Sequence, residues 1–150
     1  VAKVKILARH LKPALNTGTD AIPVWTPIGG LNSLTFSTEK TDTDDTDFDS
    51  DGWAEHKVAQ RASSISMEGF YKEDPVTGDR DAGQEALIAL ADAVGYDSLK
   101  SLRVTTPGGN VTTYRVSARV DAPAGGGLND NSGFNAELTV SGKPTYVPSP

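Results

Sequence analysis

The chain has 150 residues, which suits one domain able to bury its own core and leaves little room for a second. Cysteine is absent, so disulfides, thiolate metal sites and a cysteine nucleophile are excluded together. The formal net charge is −6, and it resides in one place: Asp42, Asp44, Asp45, Asp47, Asp49 and Asp51 account for it, and the remainder is formally neutral. No basic stripe of the kind that reads duplex nucleic acid is present, which argues against direct DNA binding. No apolar run approaches the ~18 residues of a membrane span and no signal-peptide pattern opens the chain, so no membrane partner is expected.

From the start of the chain, Val4, Ile6 and Ala8 alternate with Lys3 and Lys5, a period of two that predicts a strand. Residues 9–20 read as a loop by composition. Leu34 and Phe36 mark a strand before an acidic loop at 39–52, and Ile65, Met67, Gly69 and Tyr71 mark one after it. The spacing predicts a single helix over 81–94. Asp81 is its N-cap, Gln84 its capping-box partner, and Leu87, Leu90, Ala91 and Val94 form one apolar stripe ended by Gly95. Residues 99–122 read as a hairpin turning at Pro107-Gly108-Gly109-Asn110. In its second strand Tyr114, Val116, Ala118 and Val120 alternate with polar residues. A Gly-rich loop at 121–132 leads to a strand in which Phe134, Ala136, Leu138 and Val140 alternate with polar neighbours. The proline-bearing tail 142–150 reads as an extended arm. The expected fold is mainly β: one domain over 1–150, a two-sheet antiparallel sandwich or partial barrel with one packed helix.

The sequence offers little for catalysis. His10 and His56 stand apart, without HxxxH or HExxH spacing, and no GxSxG, GxxxxGK[ST] or GxGxxG motif occurs. Gly125-Gly126-Gly127 precedes a strand and not a helix, so it lacks a phosphate cradle. Trp25 and Trp53 suit burial under a sheet edge or at a subunit contact better than stacking on a sugar. One segment resembles an ion site. Asp47-x-Asp49-x-Asp51-Gly52 matches the opening positions of a twelve-residue calcium loop, whose closing position requires a bidentate acid. Here that position is Val58, so Asp47, Asp49 and Asp51 are weak metal candidates, and no cofactor is expected unless it is calcium.

Several stretches, in order along most of the chain, resemble the major tail tube family of long-tailed (siphovirus-type) bacteriophages. Trp25-Thr26-Pro27-Ile28-Gly29-Gly30-Leu31-Asn32-Ser33 is similar to the family's lead into its first sheet strand, and Asp51-Gly52-Trp53 to the close of its long inter-strand loop. Ser64 to Tyr71 followed by Asp79-Arg80-Asp81-Ala82-Gly83-Gln84-Glu85-Ala86-Leu87 resembles its strand, loop and helix start. Phe134 to Val140 with Ser141-Gly142-Lys143-Pro144 resembles its closing strand.

The resemblance implies a structural protein of the virion, not an enzyme, assembled in the host bacterial cytoplasm. Its partners would be itself, in stacked homohexameric rings, and other tail proteins such as tape measure and tail terminator. DNA would touch it only in passing through the lumen. An inner-tube protein of a contractile tail or secretion device is expected to share the fold. The reading from another class is a calcium-dependent β-sandwich module for adhesion or carbohydrate binding.

Aspartates two apart in an extended chain lie about 7 Å from one another and repel by roughly 0.6 kcal/mol in water. The free acidic loop is therefore expected to be extended and mobile, and to be ordered by an adjacent subunit. The contact residues expected on these grounds are Asp42, Asp44, Asp45, Asp47, Asp49, Asp51 and Trp53 on one side and Lys3, Lys5, Arg9 and Lys12 on the other.

Overall fold

A computed structural model describes residues 2–150. Eight strands and one helix follow in the order β1 (Lys12–Asn16), β2 (Trp25–Pro27), β3 (Leu31–Asp44), β4 (His56–Phe70), α1 (Ala82–Asp92), β5 (Lys100–Thr105), β6 (Val111–Asp121), β7 (Gly133–Val140) and β8 (Thr145–Val147). All pairings are antiparallel, and they join the strands into one sheet of order β2-β1-β5-β6-β7-β4-β3. The strand β8 pairs with the start of β6, Val111↔Val147 to Thr113↔Thr145. The mainly β, antiparallel, single-helix fold is thus as the sequence indicates. The layers expected as two sheets are one hydrogen-bonded surface because β6 is long enough to carry β5 along its first half and β7 along its second.

Alternation explains which face is covered. Phe134, Ala136 and Leu138 of β7, Ile65 and Met67 of β4, Leu102 and Val104 of β5, Val116 of β6 and Leu15 of β1 are buried in one cluster with Leu87 and Leu90 of α1. Strands from both halves of the strand order share this cluster, so the sheet curls around it. The curl nearly returns on itself: Leu11 and Pro13 at the start of β1 and Leu31 to Leu34 at the start of β3 line the two sides of one groove.

The helix is held by a clasp that the sequence showed only in part. Asp81 caps α1, accepting from the Gln84 backbone N–H, and its carboxylate also accepts from Gly29 N at 3.1 Å. The Gln84 side chain does not close a capping box. It is fully buried and donates to Gly29 O (3.0 Å) and Phe70 O (2.8 Å) while accepting from Lys72 N (3.1 Å). Three backbone groups, one before β3 and two at the end of β4 and just beyond it, are thereby satisfied by one amide, as burial requires. Gly83 and Gly69 permit the approach. A Cβ on Gly83 would meet Pro27 O and Ile28 Cα, and one on Gly69 would meet Gly30 O, all backbone atoms with no room to yield.

The termini of elements depart from expectation. The stripe on α1 stops at Leu90: the helix is capped at Ala93, and Val94 lies beyond it in extended backbone, exposed. No strand forms at Val4–Ala8, where Val4, Ile6 and Leu7 are exposed; the first strand is β1, in a stretch read as loop. Its residues Pro13 to Asn16 are buried in succession, without alternation. The tail is not a free arm throughout, because β8 docks on β6 and Ser149 N donates to Asn110 Oδ1 at 2.9 Å.

Candidate functional site

The first part of the acidic segment, Glu39 to Asp44, is strand and not loop; the rest forms the turn between β3 and β4. β3 and β4 pair without interruption of the ribbon from Leu31↔Gly69 to Asp44↔His56, with bulges between Leu31 and Ser33 and between Thr41 and Asp42. β7 covers the flank of β4 only from Phe70 back to Ser64. Beyond that point the hairpin continues as a bare two-stranded arm whose residues, Ser37 to Asp44 and His56 to Ala62, are exposed on both faces. An isolated two-stranded ribbon is marginal in water, so this arm draws on neither the core nor a neighbouring strand within the chain.

At its end the chain turns through a hydrogen-bonded cap, contrary to the expectation of an extended loop. Asp45 N donates to Glu55 O at 2.8 Å, and Glu55 N donates to Thr46 Oγ1 at 2.9 Å. Asp47 Oδ1 accepts from Asp49 N (3.0 Å) and from Ser50 Oγ (3.1 Å), while Ser50 Oγ accepts from Asp47 N (3.1 Å). Asp51 then adopts the left-handed conformation, φ 50°, followed by Gly52 at φ 82°. Asparagine, aspartate and glycine are the residues that tolerate it. The repulsion between carboxylates is offset because several have local partners. Asp44 accepts hydrogen bonds from Thr46, which hold its carboxyl below its ordinary pKa, with His56 adding a smaller attraction. Lys57 lies 3.4 Å from Asp45.

Asp42, Asp44 and Asp45 therefore sit at the distal end of the arm, and Asp47, Asp49, Asp51 and the largely exposed Trp53 in its terminal turn. Asp47 spends its carboxylate on the cap. Among the described residues no group of three or more acidic, histidine or cysteine side chains converges on a common point. His10 lies in a 3-10 turn at Ala8–His10, far along the sequence from His56 at the arm. The basic residues Lys3, Lys5, Arg9 and Lys12 are exposed, and among the described residues none of them forms an ion pair with the acidic run of the same chain.

Two features went unread in the sequence. Phe48, between Asp47 and Asp49, is fully exposed at the arm's tip. An aromatic residue enclosed by aspartates has no route to the chain's own core, and that was the available signal. The second is the groove of about 330 Å³ at the seam of the curled sheet, where Leu11, Pro13, Ile28, Leu31 and Leu34 lie beside Arg9. It joins residues distant in sequence, and nothing local announces it. Trp25, by contrast, lies as expected at the sheet edge, half-buried in β2 with the Arg103 guanidinium 4.6 Å above its ring.

No protein-family model matches the chain, and no curated protein does. Solved structures do. A chain of the tail of an empty gene transfer agent particle, refined helically in C6 symmetry, superposes with a TM-score of 0.68 at 18% identity, covering 95% of this chain and 99% of that one. The hybrid structure of the SPP1 tail tube gives 0.64 at 13%, covering 97% and 80%. A chain of the sheath-tube complex of an extracellular contractile injection system, PVC, in its extended state gives 0.59 at 13%, covering 97% and 93%. At these identities the likeness is one of fold, and it extends over nearly the whole chain.

Proposed function

We propose that the chain is a structural subunit of a phage-type tail tube, without catalytic activity, that polymerises as stacked hexameric rings around a lumen through which DNA passes. The observation that carries this reading is the pairing of a full-length likeness to chains of helical tails with an arm that contributes nothing to its own fold. Open edges support it. The sheet path ends in β2 on one side and in the fourteen-residue β3 on the other. Unpaired edges of that length invite aggregation in a monomer, and closing a barrel between copies removes them.

The sheet face turned away from α1 suits a lumen. It carries Ser64, Ser66, Ser101, Thr113, Ser117 and Thr139, and its arginines are engaged within the chain. Arg115 meets Asp20 at 2.9 Å, Arg119 meets Glu137 at 3.6 Å, and Arg103 lies over Trp25. A hydroxyl-rich face on which two of these three arginines are paired with carboxylates offers DNA few places to stick. The acidic arm of one subunit meets Lys3, Lys5, Arg9 and Lys12 of another, and assembly needs no cofactor. On this reading the chain resides in the virion, with tape measure and terminator proteins as its other partners. A tube within a contractile device is a second reading, favoured by the likeness to the injection-system chain.

Electron microscopy of the purified chain over a concentration series tests the proposal. Six-fold rings or tubes, unchanged by a calcium chelator at constant ionic strength, are expected. Strict monomers at high concentration would count against it, and tubes that dissolve in chelator would give Asp47, Asp49 and Asp51 to calcium.

A further inference from the structure

Phe48 and the seam groove are complementary and cannot meet within one chain. Both lie on the same hairpin, the groove at the base of β3 and Phe48 past its far end. Leu34 and Asp44 are separated along β3 by ten residue steps, which at about 3.3 Å each puts the tip roughly 33 Å from the groove. Resting on the tube reading above, we propose that Phe48 of one copy seats in the groove between Leu11, Pro13, Ile28 and Leu31 of a second copy, with Asp47 and Asp49 facing that copy's Arg9.

The charges select this groove over the other apolar one. A second groove of about 270 Å³, between β1 and α1, is lined by Leu15, Ala86, Ala89 and Leu90 with Lys100, but Asp97 lies in its wall and opposes an acidic visitor. The seam groove has Arg9 in its wall and no acidic residue. Its volume is at the low end of those that hold a small ligand, enough for one aromatic ring. The seat would also cover apolar side chains that the incomplete curl leaves half-exposed at Leu11, Leu31 and Leu34. A central aromatic side chain that fills a pocket and excludes water from it is the kind of anchor from which interfaces draw most of their affinity. Phe48 thus supplies the affinity, and the aspartates supply orientation and salt dependence.

The absence of cysteine makes a direct test available. Asp49→Cys with Ser33→Cys places one thiol beside Phe48 and one on the groove's rim. Asp49→Cys with Ala89→Cys does the same for the second groove. Under mild oxidation the first pair should give a covalent ladder running well beyond dimer, and the second should give dimers only. Phe48→Ala, an exposed position whose loss leaves the fold intact, should raise the concentration needed for assembly by about tenfold or more. Arg9→Glu should do the same by a smaller factor. Tubes that form with no ladder from the first pair, or a ladder from the second pair instead, would overturn the seating while leaving the tube reading in place. A chain that never assembles would remove both.

Discussion

The body of the molecule and its arm are built from the same two strands and obey opposite rules. In β4, Ile65 and Met67 are almost wholly inaccessible, whereas from His56 to Ala62 every residue is exposed. Nothing in the backbone changes at Ser64 except that β7 stops pairing there. The half that gains a third strand and a place in the cluster shared with α1 is a core element; the half that does not is a ribbon presented to solvent. On the proposed tube reading, stability and assembly fall to different stretches of one hairpin, and substitutions should separate them.

The largest effect on folding is expected in the body. Leu90→Ala leaves a cavity between α1 and the sheet and should cost about 2–5 kcal/mol in chemical denaturation. An unchanged midpoint would mean that the helix stripe packs on something other than this core. Gln84→Met keeps the volume of the clasp but strands Gly29 O, Phe70 O and Lys72 N, and should cost about 2–3 kcal/mol.

On the arm the signature reverses. Replacing Asp44, Asp45, Asp47 and Asp49 with Asn should move monomer stability by no more than about 1 kcal/mol, because the sites are on the surface, an Asn Oδ1 still accepts at positions 44 and 47, and only the exposed Asp45–Lys57 pair is lost. The same variant should form shorter tubes. Wild-type tubes should likewise shorten as salt rises, since exposed pairs are screened within a Debye length of about 8 Å at physiological ionic strength. Full-length tubes from the variant would remove the aspartates from the interface.

The smallest effect concerns pH. The Asp44 carboxyl is held below its ordinary pKa by Thr46, so its contribution is present above the unfolded value and lost as pH falls through the folded one. The protection factor of the Thr46 amide, taken relative to its intrinsic exchange rate at each pH, should therefore fall below about pH 4, before those of core residues respond. Equal protection of Thr46 at neutral and acid pH would show that the cap does not depend on the carboxylate.

The sequence made the body legible and the arm not, for one reason. β6, β7 and the start of α1 each have one face in the core, and a periodic pattern records exactly such one-sidedness. The distal half of β3 has no buried face, so Glu39 to Asp44 carry no alternation and read as loop. β1 failed in the opposite way, with Pro13 to Asn16 buried on both faces. Val4, Ile6 and Ala8 alternate yet form no strand, since alternation specifies a face only where another element covers it. The aspartates and lysines were identifiable as a charged pair of regions; the groove that gives Phe48 a destination exists only once β1 and β3 curl together.

The division between body and arm is tested most directly by shortening the arm, joining Ser37 to Ser64 through a tight two-residue turn, and comparing the two chains by thermal melting and electron microscopy. The account predicts that the shortened chain melts within a few degrees of the full one, about 1 kcal/mol or less, and forms no tubes where the full chain does. A shortened chain that still assembles into tubes, or one that no longer folds, would contradict it.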